Sequence, residues 1–340
     1  MMRSAVLLVN LGSPASPRAA DVKPYLDEFL MDPYVLDIPA PLRALLVRGL
    51  ILNTRPAKSA AAYAQIWTAE GSPLVVISQR TRDALETLMQ VPVGLAMRYG
   101  EPSIAHGVAA LLERAGPIDE LVVVPMYPQY AMASTKTVEV AVAAELESRG
   151  VPYRFVPAFY GDGAYLDALA ARARSTIPAD TQHVLFSYHG IPKRHLRKTD
   201  PTGAHCLRSP DCCSVPSIAH ATCYRHQIIA TTEAVAQRLG LDPAGYSFAF
   251  QSRLGGGWLE PFTDRELTAF PQRGITRLAV LCPSFVADCL ETLEEMSIRG
   301  RASFLAAGGE SFTYVACLND DPAWIAALAR LAGASAPAAA

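Results

Sequence analysis

The sequence is short of charge, of long apolar runs and of phosphate-binding glycine patterns, and each shortage removes a class of function. Charged residues make up 18% of the 340 residues and balance to a formal −2, which leaves no electrostatic footprint for a nucleic-acid backbone. The one strongly basic run, Lys193-Arg194-His195-Leu196-Arg197-Lys198, reads as a solvated loop. No stretch reaches the roughly eighteen apolar residues of a spanning helix. The apolar run 5–9 is too short for the core of a signal peptide and leads into Gly12-Ser13-Pro14 rather than a small-residue cleavage site. The expectation is a cytoplasmic protein. Glycines 255–257 match neither the dinucleotide fingerprint nor the P-loop. Their neighbour Trp258 suits a flat aromatic ligand better than a pyrophosphate, although a core tryptophan is the commoner case.

What is abundant is apolar residue, 51% of the chain, enough to fill two cores. Short apolar runs alternate with segments of helical periodicity throughout. The expected class is α/β, two Rossmann-like domains, each a parallel sheet flanked by helices. The first is placed at 1–160, with a hinge near 159–163, and the second at 161–316. A terminal helix at 317–333 is expected to pack back on the N-terminal domain, with a disordered tail at 334–340. Ser134 or Thr135 is expected to cap a helix at 138–148. Within 39–52, Leu42, Leu45, Leu46 and Leu50 form an apolar stripe. It reads either as a core helix or as an exposed lip for a bilayer surface or an apolar ligand.

Chemistry concentrates in the second half. Val184-Leu185-Phe186 runs into Ser187-Tyr188-His189 and breaks at Gly190 and Pro192, the pattern of a buried strand that delivers an imidazole to the carboxyl edge of a sheet. Asp288, Glu291 and Glu295 fall at i, i+3 and i+7 of an expected α-helix at 288–299. Like charges so spaced raise at least one pKa, and three carboxylates on one face can hold a divalent cation or relay protons. Acid enrichment in a first helical turn is the bland alternative. Four of the seven cysteines, Cys206, Cys212, Cys213 and Cys223, form a C-x5-C-C-x9-C group. Four thiolates suit zinc or an iron–sulfur cluster, and the paired C-x2-C knuckles of zinc ribbons are absent. Cys282, Cys289 and Cys317 read as small core residues.

Taken together, Ser187-Tyr188-His189-Gly190-Ile191-Pro192, the run from Pro283 through Asp288 and Glu291 to Glu295, Gln251-Ser252-Arg253 with Trp258, and Tyr127-Pro128-Gln129-Tyr130 resemble the ferrochelatase family. Asn10-Leu11-Gly12-Ser13-Pro14, Arg55-Pro56, Tyr63, Gly71-Ser72-Pro73-Leu74 and Arg98-Tyr99 are similar to its N-terminal landmarks. The resemblance runs from Val6 to about Val315. It implies a porphyrin cleft between the domains and insertion of Fe²⁺ into protoporphyrin IX. It places His189 at the ring centre, Glu291 opposite, and Asp288 and Glu295 along an acidic metal path. Whether His189 takes protons or delivers the metal stays open. The resemblance also implies porphyrin-binding positions at Leu11, Arg55, Tyr63, Ser72, Met97, Tyr130, Ile191 and Trp258, with Arg55 or Ser72 meeting propionates.

Two features refine what the resemblance implies. Leu11 stands where coproporphyrin-type members carry a tyrosine, which favours the protoporphyrin-type reaction, and the lip at 39–52 fits peripheral contact with the inner membrane surface. Some ferrochelatases are similar to this chain in carrying an internal group of four cysteines that binds a [2Fe-2S] cluster. Zinc stands second for these cysteines and free thiols third. The alternatives are a coproporphyrin or cobalt chelatase of tetrapyrrole synthesis, or a non-catalytic haem or iron–sulfur sensor.

Overall fold

The computed structural model of the protein describes residues 3–253 and 255–333; the tail expected to be disordered, 334–340, lies outside the described residues. The chain divides into two compact units. Unit 1 takes 3–127, 132–157 and 319–333, and unit 2 takes 128–131 and 158–318.

In unit 1, β1 (Ser4–Ser13) is buried at eight of its ten positions. An unbroken apolar run with no alternation is what a strand covered on both faces requires. β2 (Val93–Gly100), β3 (Glu120–Pro125) and β4 (Tyr153–Phe155) join it in the order β2-β1-β3-β4, every pairing parallel. The flanking helices are α1 (Ala19–Leu30), α2 (Ala40–Leu46), α3 (Leu52–Ile66), α4 (Pro73–Met89), α5 (Ile104–Ala115) and α6 (Thr137–Ser148). Val138, Val142 and Leu146 repeat every four residues on α6 and meet Val108 and Leu111 of α5 in one core with Leu7, Val9 and Val123.

Unit 2 repeats the plan. α7 (Gly163–Thr176) precedes β5 (His183–His189), and short α8 (Lys193–Thr199) and α9 (Tyr224–Leu239) follow it. β6 (Tyr246–Gln251), α10 (Thr263–Ala269) and β7 (Arg277–Leu281) come next. A π-helix at Glu291–Gly300 runs into α11 (Arg301–Ala306), then β8 (Ser311–Tyr314). The sheet order is β6-β5-β7-β8, again all parallel. Each sheet thus reverses direction beside its first strand, and in unit 2 the reversal lies between β5 and β7. Ligands of open parallel sheets bind at that point, outside the strand carboxyl ends.

Several local expectations change. The run 193–198 is helix rather than solvated loop, with His195 and Leu196 buried. Crossed bonds between Thr199 and Thr222, each hydroxyl donating to the other's carbonyl, hold its far end. Neither Ser134 nor Thr135 caps α6, because a π turn at Met132–Lys136 continues straight into it. The apolar segment is not a core helix. α2 passes through a π turn (Val47–Ile51) into α3, and Leu42, Leu45, Leu46 and Leu50 are exposed, Leu45 by 71%, while Val47 alone on that stretch is fully covered. The terminal α12 (Pro322–Leu331) packs on α4, and Thr81 donates to the Asn319 carbonyl ahead of it. Residues 128–131 join unit 2 through Gln129, which donates to Thr231, and the Tyr130 N–H, which donates to Gln227.

Candidate active site

β5 spends its apolar residues on the core and delivers His189 to its carboxyl end, opposite Gln251 of β6. Gly190 seals this tip. Its N–H donates to the Gln251 carbonyl at 2.7 Å, and a Cβ at Gly190 would stand 2.8 Å from that same oxygen. His189 Nδ1 lies 2.7 Å from the Gly190 carbonyl. A carbonyl only accepts, so Nδ1 carries the hydrogen and the neutral ring keeps its lone pair on Nε2. Tyr224 donates to the His189 carbonyl at 2.9 Å and leaves its own oxygen to accept from Ser284, also at 2.9 Å. The imidazole therefore has a fixed tautomer and a held backbone.

The acidic residues sit differently from the expected helical stack. The helix that carries them is π from Glu291 onward, with i→i+5 bonding, and Asp288 precedes it. Asp288 is buried, and its Oδ1 accepts from Tyr314 (2.6 Å), Thr292 (3.0 Å) and the Cys317 N–H (3.4 Å). It anchors the start of the helix. Glu291 is half-buried at the first π position. Glu295 is held at both carboxylate oxygens by Ser252, through its N–H at 2.9 Å and through a short bond from its hydroxyl. Burial raises the Glu295 pKa; Ser252, the charge of His189 and Arg299 pull the other way. Burial, not like-charge repulsion, is thus the cause of the shift. Glu295 also lines a cavity of about 370 Å³, together with Ser252, Arg253, Asp264, Arg299 and Ser303 among others.

In unit 2, Ile191 is buried beside His189 and its carbonyl accepts from the Leu259 N–H at 3.0 Å, while Trp258 bridges to Pro192 and approaches Gly190. Tyr130 is half-buried at the segment that Gln227 of α9 holds. In unit 1, Leu11 and Met97 stand at the carboxyl ends of neighbouring β1 and β2. Tyr63 packs edge-on to Tyr25 at 6.4 Å, and Tyr25 donates to the Gly12 carbonyl. Ser72 is buried at the start of α4, and half-buried Arg55 lies two turns before Tyr63 on α3.

The cysteine segment also folds together. Cys206, Cys212 and Cys223 are buried and Cys213 half-buried. The Cys223 thiol contacts those of Cys206 and Cys213, and Cys213 contacts Cys212. Arg225 donates to Cys213 Sγ at 3.4 Å, and His205 and His220 both reach the Cys212 carbonyl. An all-sulfur set in pairwise contact fits a cluster that takes two thiolates per iron. Among the described residues no group of three or more His, Cys, Asp or Glu side chains is arranged to hold a metal ion. Cys282, Cys289 and Cys317 are buried, and burial pushes their thiols up. They are core residues.

The profile of the ferrochelatase family matches residues 3–336. The chain belongs to the ferrochelatase family. It is 50% identical to the ferrochelatase of Ectopseudomonas mendocina over 333 residues, covering 96% of this chain and 97% of the relative. It is 48% identical to that of Pseudomonas aeruginosa over 337 residues, 98% of each. Among solved structures, SirB from Bacillus subtilis with Fe³⁺ superposes with a TM-score of 0.52 at 13% identity, over 97% of this chain and 94% of that one. The sirohydrochlorin chelatase SirB from Bacillus subtilis subspecies spizizenii in complex with cobalt gives 0.53 at 10%, with the same coverage. These two likenesses establish a chelatase-type fold.

Three residues of this site had no part assigned from the sequence. Gln251 and Ser252 were visible as a polar pair at a strand end, but nothing local shows that they reach Glu291 and Glu295. Tyr224 gave no signal beyond its place after Cys223.

Proposed function

We propose that the chain inserts Fe²⁺ into protoporphyrin IX to form protohaem. Support comes from family membership, and from one observation at the site: an imidazole whose only lone pair is on Nε2, at the carboxyl end of the strand beside the sheet's reversal, next to a helix carrying Glu291 and Glu295. Metal insertion exchanges two pyrrole N–H protons for one divalent cation. His189 Nε2 is the proton acceptor in this reading. Glu295 lies within electrostatic reach of His189, which supports it. Glu291 takes the second proton, and Glu295 passes the cation inward from the side of the cavity, with Asp288 fixing the helix start. Leu11, Tyr63, Met97, Ile191, Tyr130 and Trp258 serve as walls, and Arg55 and Ser72 meet propionates. Leu11 offers no phenolate ligand, which favours protoporphyrin over coproporphyrin.

We also assign Cys206, Cys212, Cys213 and Cys223 as ligands of a [2Fe-2S] cluster, on the strength of their pairwise contacts. When bound, that group supplies one-electron redox chemistry, and its part is structural or redox-sensing. The exposed leucines of α2 and the π turn fit a peripheral seat on the inner membrane surface; none of the described helices is long and apolar enough to cross a membrane.

The deciding assay is anaerobic incubation with protoporphyrin IX and Fe²⁺, following loss of porphyrin fluorescence. Turnover by the wild-type chain supports the reading, and a chain that binds porphyrin without metallating it defeats it. The visible spectrum of the anaerobically purified protein, with iron and acid-labile sulfide analysis, tests the cluster. A colourless protein lacking both would remove it.

A further inference from the structure

Three features at the end of β6 have no part in the scheme above. Gln251 is buried, 2% exposed, and both ends of its side-chain amide are hydrogen-bonded. Nε2 donates to the main-chain carbonyl of Glu291 at 2.8 Å, while Oε1 accepts from Ser187 at 2.6 Å and from Cys282 at 3.6 Å. Its own carbonyl takes the Gly190 N–H, as described. One amide thus ties β5, β6, the end of β7 and the first residue of the π-helix together. A leucine would fill the space without desolvating an amide, so what the glutamine adds is connection. That connection runs from the strand of His189 to the backbone of Glu291.

Ser252 is the second feature. It has φ +64°, the left-handed region that non-glycine residues seldom occupy. This conformation turns both its N–H and its hydroxyl onto the two oxygens of Glu295. The third feature is placement. Gln251 and Ser252 are adjacent, and the residues they hold, Glu291 and Glu295, are four apart on the same helix. One dipeptide at a strand end therefore fixes both acids relative to the imidazole opposite Gln251 in register.

We propose that Gln251 and Ser252 are positioning residues for metal insertion: Gln251 sets Glu291 against the strand of His189, and Ser252 aims the carboxylate of Glu295 for passage of the cation. The proposal rests on the chelatase reading. Neither residue takes protons or metal itself. Their effect is the geometry of two groups that do.

Ser252→Gly keeps the left-handed backbone and the N–H bond and removes only the hydroxyl. It is expected to raise KM for Fe²⁺ about tenfold, with kcat within about twofold of wild type and porphyrin affinity unchanged. Gln251→Glu keeps shape and acceptor and loses the donor to Glu291. It is expected to lower kcat on the order of 10²-fold, the cost typical of a misplaced catalytic group, while porphyrin quenching titrations stay at the wild-type Kd. Thermal melting of both full-length variants is recorded alongside. Wild-type kcat and KM in both variants, or losses of kcat, KM and porphyrin binding that all follow the melting temperature, would overturn the assignment. Failure of the wild-type chain to metallate porphyrin would instead defeat the chelatase reading, and this proposal with it.

Discussion

An imidazole that has given its Nδ1 hydrogen to a neighbouring carbonyl has one atom left for chemistry. His189→Ala removes that atom and leaves the strand and its walls in place. Metal insertion is expected to fall by about 10²-fold or more, with porphyrin binding within a few-fold of wild type, read by fluorescence quenching. Normal turnover by that variant would displace His189 from the centre of the scheme. Glu295 carries a second, opposite-signed consequence. Its pKa is raised by burial, so the folded state holds the proton more tightly than the unfolded chain does. Stability is therefore highest below the ordinary value of 4.5 and declines as pH rises from there through the raised folded value. Glu295→Gln should flatten this decline in melting temperature while lowering activity; a slope unchanged by the substitution would locate the titration elsewhere. His189 was legible in the sequence because an apolar run that breaks at Gly190 and Pro192 has few structural meanings. Ser252 was not, because positive φ at a serine is imposed by what the residue binds, and that partner lies 43 positions away.

At the scale of elements, the strands were easiest to read, since parallel strands covered on both faces are unbroken apolar runs. The π segments were invisible. Glu291–Gly300 shows the same spacing of apolar and acidic residues as an α-helix, and the i→i+5 register emerges only with its neighbours in place. Short α8 was masked by its cations, because the two residues that decide its burial, His195 and Leu196, are a small part of a basic run. The joint between β5 and β6 yields a prediction that depends on the element rather than on any catalytic atom. Gly190→Ala forces a methyl to 2.8 Å from a backbone oxygen that cannot rotate away. The tips of the two strands must part, at about 1–3 kcal/mol, the usual range for overpacking. Insertion should fall along with the melting temperature, in contrast to His189→Ala, which should leave melting nearly untouched. A Gly190→Ala variant with wild-type stability would mean that the seal between the strands is not tight.

Over the whole molecule, one sheet plan is used twice, β2-β1-β3-β4 and β6-β5-β7-β8, and the proposed reacting groups all fall on the second copy. The first copy carries the lip. Burial there is inverted: Val47 is covered, whereas Leu42, Leu45 and Leu50 are 57%, 71% and 63% exposed. The cations nearby are already committed. Arg43 turns inward to the carbonyls of Leu36 and Ile38, and Arg48 pairs with Asp27 at 2.9 Å. An apolar stripe stripped of free charge in this way has hydrophobic contact as its main source of affinity, so its binding to a surface should depend weakly on salt. Each leucine withdrawn from water is worth roughly 1.5–3 kcal/mol, so Leu45→Glu with Leu50→Glu should weaken binding to lipid vesicles by about 10²-fold or more. Metallation of detergent-dispersed porphyrin by the same variant is expected to stay at the wild-type rate, since neither residue belongs to the proposed site. Co-sedimentation with neutral and anionic vesicles at two salt concentrations separates the cases. Equal loss on both lipids supports an apolar seat, whereas binding that survives the double substitution and vanishes in salt would move the contact to another, charged face.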